Sequence, residues 1–105
     1  MRSVSVRPVR TGFFRRKAAA PIGEPLILGA PFFAVLARVP EGWTRTLDLL
    51  STDGELVFGP LEIRMTVTEL SRISPYAESA EEQSEFSAFR TLVGAIPEGH
   101  ELVFN

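Results

Sequence analysis

Chemistry in this 105-residue chain has to come from a short inventory: one histidine (His100), one tyrosine (Tyr76), one tryptophan (Trp43), one lysine (Lys17) and no cysteine. Without thiols there is no disulfide framework, no zinc finger, no iron–sulfur ligation and no cysteine nucleophile, and one imidazole cannot build a histidine-based metal site. No metal and no cofactor is therefore expected. His100 sits in Glu98-Gly99-His100-Glu101, with no serine or second ligand positioned beside it by spacing, and reads as a turn residue. The densest carboxylate cluster is Glu81, Glu82 and Glu85. Three acids at that spacing on a helix, opposite an apolar stripe, point to solvent and solubilise instead of doing acid–base work. Neither the dinucleotide fingerprint nor the Walker pattern can be read anywhere. The expectation is a protein that is not an enzyme and takes no small-molecule substrate. A chain this short has more room for a binding surface than for a deep cavity.

The charge layout is the feature that could carry binding. Residues 1–23 hold six cations, Arg2, Arg7, Arg10, Arg15, Arg16 and Lys17, and no acid; residues 24–105 hold five arginines against all thirteen acids. The division predicts a basic arm over 1–23 and a single domain over 24–105. Phe13 and Phe14 directly precede Arg15-Arg16-Lys17. Rings beside cations suit a membrane interface, where the aromatic inserts and the charge meets headgroups, and equally suit single-stranded nucleic acid, where bases stack and phosphates pair. The expected anion-binding set is Arg7, Arg10, Phe13, Phe14, Arg15, Arg16 and Lys17. Two other readings stay open. The arm can pair with the acidic body of its own molecule, with Val4, Val6 and Val9 forming an edge strand. An acid-free, Arg- and Ser-bearing start also resembles a mitochondrial transit peptide, although Pro8 and Gly12 interrupt the helix such a peptide needs. No secretory signal is expected, because Ala18–Ala20 and Pro21 follow the cations where an apolar run is required, and the apolar stretch 25–39 is too short for a membrane span. A cytoplasmic or virion-associated location is the resulting expectation.

Positioning these groups falls to a body of 45% hydrophobic residues with eight glycines and eight prolines. The run Pro31–Val39 between prolines predicts a buried strand. Trp43–Ser51 alternates, and Asp53-Gly54 suits a tight hairpin returning along Glu55–Phe58. Leu61, Ile63, Met65 and Val67 alternate with Glu62, Arg64, Thr66 and Thr68, predicting another strand over 61–69 with one wet face. From Ser79 the period changes: Phe86, Phe89, Leu92, Val93 and Ile96 make a helical stripe, and Ser79 with Glu82 fits a capping box. Leu102–Phe104 adds a final short strand. The predicted fold class is α+β, a twisted antiparallel sheet with one carboxy-terminal helix packed on it.

Gly59, Leu61-Glu62-Ile63, Met65-Thr66-Val67, then Glu85-Phe86-Ser87 and Phe89-Arg90 resemble the carboxy-terminal strand, loop and helix of rhabdovirus matrix proteins, over well under half the chain and without that family's proline-rich budding motif. The resemblance implies a non-enzymatic, viral matrix-like protein that self-associates and touches a membrane. Read together, the residues predict a structural or adaptor protein that forms homo-oligomers, with Trp43 as a self-association or partner interface, and binds anionic lipid or nucleic acid through its arm. The alternative is a small regulatory or inhibitor module that meets a protein partner through the acidic helix face.

Overall fold

The computed structural model describes residues 1–9 and 22–105. In chain order the elements are β1 (Arg2–Pro8), β2 (Ile22–Leu28), α1 (Ala30–Arg38), a 3-10 turn (Leu47–Ser51), β3 (Leu56–Phe58), α2 (Pro60–Ile73), a second 3-10 turn (Ser74–Tyr76), α3 (Ala80–Gly94) and β4 (His100–Phe104). The four strands form one antiparallel sheet in the order β2-β1-β4-β3. The α+β class expected from the sequence is what the chain adopts, but with three α-helices among the described residues where one was expected.

Two of those helices replace expected strands, and proline is the reason. Pro31 and Pro60 each stand in the first helical turn, following Gly29 and Gly59 as N-caps. There the missing N–H has no helical partner to lose and the fixed φ favours the helix, so the prolines open elements instead of breaking them. Within α1, Phe32 and Val35 are buried and Leu36 packs partly against the core, as does Val39 just past the helix end, a spacing of three, four and seven. Within α2 the alternation of Leu61, Ile63, Met65 and Val67 turns out to be incidental. The buried face is Thr66, Glu69, Leu70 and Ile73, while Leu61 is 56% exposed and Met65 and Val67 lie outside as well. The segment 43–51, also expected as a strand, is irregular chain closing in a 3-10 turn whose Leu47 and Leu50 are buried. Gly54 does have the positive φ of a turn residue, but β3 pairs with β4, so Asp53-Gly54 is not the tip of a hairpin.

Of the carboxy-terminal expectations, the helix start and the buried part of its stripe hold, while Ile96 lies beyond the end of α3. Ser79 caps α3, its hydroxyl accepting from the Glu82 amide at 3.1 Å while the Glu82 carboxylate returns to the Ser79 amide, and Phe86, Phe89 and Val93 are buried. β4 forms too, and is a central strand. Its Phe104 rests 4.6 Å from Phe58 and 6.2 Å from Phe89 between ring centroids, and Phe89 in turn lies 5.4 Å from Phe32, so aromatic contacts run continuously from β3 through β4 and α3 to α1. Val4, Val6, Leu28, Phe58, Leu102 and Phe104 give the sheet's core face.

The amino-terminal strand is not at an edge. β1 lies between β2 and β4, with Val4 opposite Phe104 and Val6 opposite Leu102. The edge is β2, where Pro25 is tolerated for that reason. A division after residue 23 therefore falls inside β2, and Arg2–Pro8 belongs to the centre of the domain. No helix among the described residues is long and apolar enough to cross a membrane.

One flaw stands out in the packing. The Thr66 hydroxyl is fully buried and has no hydrogen-bond partner among the described residues. Thr66→Val keeps the shape and removes the unsatisfied group, so it should raise stability by about 1 kcal/mol, read from the urea midpoint.

Candidate functional site

Of the residues expected to bind an anion, Arg7 is engaged inside the sheet. It stands directly across from Glu101 on β4, and its Nε donates to the Glu101 carboxylate at 2.5 Å with both side chains largely covered. This corrects its placement on a free arm: the cross-strand register puts an acid opposite it. Arg10, Phe13, Phe14, Arg15, Arg16 and Lys17 lie outside the described residues. Their neighbours in sequence do not: β1 and β2 flank the segment and pair with each other antiparallel.

Arg2 is more deeply engaged. Alternation puts it on the same face as Val4 and Val6, and it is only 6% exposed. Its Nε donates to the Leu50 carbonyl at 2.9 Å, Nη1 to the Gly54 carbonyl at 2.5 Å and Nη2 to the Thr52 carbonyl. One guanidinium thus collects three carbonyls from a five-residue stretch. The result is a cleft of about 470 Å³ walled by Arg2, Phe33, Asn105 and the stretch Leu50–Gly54. The period of two in Arg2-Ser3-Val4-Ser5-Val6 carried the signal for an inward arginine; counting it as arm charge hid that signal.

The acidic cluster is also rebuilt by the fold. Glu81 is exposed, but Glu82 is buried and Glu85 half-buried. Glu82 accepts two bonds from Arg38 at the end of α1, at 2.8 and 3.1 Å, and one each from the Glu78 and Ser79 amides. Glu85 accepts the Gly29 amide at 2.7 Å, at the start of α1. The expectation that all three acids face solvent is therefore corrected: two of them join α3 to the two ends of α1. The Arg38 hydrogen bonds and the Glu78 amide hold the Glu82 carboxyl at about 2, from an ordinary 4.5, against the opposing effect of burial.

Trp43 is 36% exposed, edge-on to Tyr76 at 6.0 Å, with the Arg72 guanidinium 5.8 Å from its ring centre. It is half core and half surface. His100 lies elsewhere, its Nδ1 3.1 Å from the Glu98 carbonyl, on the rim of a smaller cavity of about 230 Å³ floored by Ile63, Val93 and Ile96, with Arg64 beside it. Tyr76 lines neither that cavity nor the Arg2 cleft. Among the described residues no three His, Asp or Glu side chains are grouped to hold a metal ion.

The Glu82 arrangement sets an acid response. Below the ordinary carboxyl range the unfolded chain takes up a proton near 4.5 while the folded chain resists until about 2. Stability from this group is therefore complete above pH 4.5 and drains away as pH falls toward 2. Glu82→Gln, which can still accept amide bonds but cannot pair with a cation, should be less stable at neutral pH and show a shallower loss between pH 4.5 and 2, measured by urea unfolding across that range. No protein-family model, no curated protein and no solved structure matches the chain.

Proposed function

We propose that this is a non-enzymatic adaptor that grips an anionic, phosphate-bearing surface through Arg10, Phe13, Phe14, Arg15, Arg16 and Lys17, and self-associates as it does so. What supports the reading is the pairing of β1 with β2 on either side of residues 10–21. A connection tethered at both ends has less freedom to lose on binding than a free tail. It carries four cations and no acid. Arg7 drops out of the binding set because it is engaged internally, as is Arg2 among the other cations of the amino terminus. Each cation near an anionic bilayer contributes about 1 kcal/mol, so four give a dissociation constant of order 1 mM for one chain. Contact that weak needs several copies acting together, and self-association supplies them.

Trp43 is the anchor assigned to self-association. Supporting it are Leu61 and Met65, exposed on the stripe of α2 that also carries Arg72, the residue under the indole. The acidic helix face is a poorer binding surface than its composition implies, since Glu82 and Glu85 already have partners within the chain.

Two measurements test the reading. Co-sedimentation with phosphatidylserine vesicles, and in parallel with single-stranded RNA, should weaken roughly 100-fold when Arg15, Arg16 and Lys17 become Ala. It should weaken roughly 50-fold between about 50 and about 200 mM salt. Equal binding by the triple variant, or binding indifferent to salt, overturns the proposal; a difference between the two partners identifies the surface. Trp43→Ala should lower the self-association constant in sedimentation equilibrium about tenfold while leaving the triple-variant effect in place.

A further inference from the structure

The cleft beside Arg2 is lined by described residues, none of them from the 10–17 stretch of sequence. Its cation is unusual in being buried without a counter-ion: among the described residues the ion pairs are made by Arg7 and Arg38, and no carboxylate lies within pairing distance of Arg2. A guanidinium carries five N–H groups, and the carbonyls of Leu50, Thr52 and Gly54 take three. Two remain, on a group that lines the cleft. Carbonyl dipoles compensate part of the lost hydration of a buried charge, and an anion compensates more.

The other walls narrow the ligand. Phe33 is half-buried and presents an apolar surface, the Ser51 hydroxyl and the Asn105 side-chain amide bring neutral hydrogen-bonding groups, and Met1 completes the rim. Asp53 lies on the same wall as Ser51. Its carboxylate opposes a second or third negative charge, which disfavours a phosphate dianion relative to a carboxylate. At about 470 Å³ the cleft falls within the range of small-molecule sites, about 300–1,000 Å³. We infer that this cleft binds a small monocarboxylate with an apolar or aromatic body, its acid group on Arg2 and its body on Phe33.

The inference stands without the proposed anion-surface role and is tested apart from it. The full chain, labelled with ¹⁵N, is titrated with benzoate, with its neutral analogue benzamide and with inorganic phosphate at constant ionic strength. Benzoate should shift the amides of residues 50–54 saturably, and bind about tenfold or more tightly than benzamide or phosphate. Ser51→Phe places a ring on the cleft wall at an exposed position whose own side chain makes no bond to Arg2, and should weaken benzoate about tenfold. Arg2→Lys should weaken it similarly, since an ammonium loses the forked donors; where that variant fails to fold, Ser51→Phe carries the test. The triple variant at Arg15, Arg16 and Lys17 should bind benzoate as the parent does. Equal affinity for benzoate and benzamide, no saturable shift at 50–54, tighter binding of phosphate, or parental affinity in Ser51→Phe overturns the inference.

Discussion

Backbone amides at the start of a helix need acceptors, and in this chain glutamate carboxylates supply them again and again. Glu62 accepts the Gly59 amide at 2.8 Å before α2, Glu82 the Glu78 and Ser79 amides before α3, Glu85 the Gly29 amide before α1, and Glu69 the Thr46 and Leu47 amides at 3.1 and 3.0 Å before the 3-10 turn. Two of these helices begin at glycine, which has no side chain to offer as a cap. For α1 the acceptor then has to come from elsewhere, and it comes from α3. The positive end of each of these four segments is met by negative charge as well as by a hydrogen bond, so one side chain answers both the orphaned donors and the dipole. A domain with only a few helical turns per element depends on this, because short helices are marginal unless their ends are satisfied and one face is packed.

The same economy changes how the net charge has to be read. A basic start and an acidic body look like two surfaces of opposite sign. In the folded chain Glu62, Glu69, Glu82 and Glu85 are bound to backbone amides, Arg2 to carbonyls, and Arg7 to Glu101. Charge left over among the described residues is smaller and more local than the totals, and the densest run of cations in the sequence is the 10–17 stretch. That concentration, and the anchoring of its two flanks in adjacent strands, is why the functional proposal rests there and not on the whole amino terminus.

How much of this was legible depended on the range of the interaction. Ser79 and Glu82 are three residues apart, so the start of α3 could be read from the sequence, and the spacing of Phe86, Phe89 and Val93 gave its buried face. The starts of α1 and α2 were equally local, but Pro31 and Pro60 have two meanings, helix breaker and first-turn residue, and only the helical stripe that follows separates them. In α1 the stripe of Phe32, Val35, Leu36 and Val39 was there to be used. In α2 a chance alternation of apolar residues competed with it, and burial of Thr66 and Glu69 made the true face look polar. β2 escapes a reading of the sequence because Gly23 and Pro25 interrupt the pattern of this seven-residue edge strand. Partnerships between Gly29 and Glu85, or Arg2 and residues 50–54, join positions about fifty apart, and no spacing rule reaches them.

The stretch from Pro40 to Glu55 shows what those distant partners accomplish together. It is long for a connection in a small domain, and ordinary loops of such length without regular structure are costly to order. At its amino-terminal side the Glu69 carboxylate takes the amides of Thr46 and Leu47; at its carboxy-terminal side the Arg2 guanidinium takes the carbonyls of Leu50, Thr52 and Gly54. An anion on the donors and a cation on the acceptors is the arrangement that complements the dipole of the intervening 3-10 turn, here applied from α2 on one side and β1 on the other. Burial of Leu47 and Leu50 between the two clamps fixes the turn against the core. The cleft beside Arg2 consequently has walls held from three elements, the strand β1, the helix α1 through Phe33 and the clamped turn, so its shape is set before any ligand arrives. Walls held in this way leave little ordering to be done by any molecule that enters the cleft.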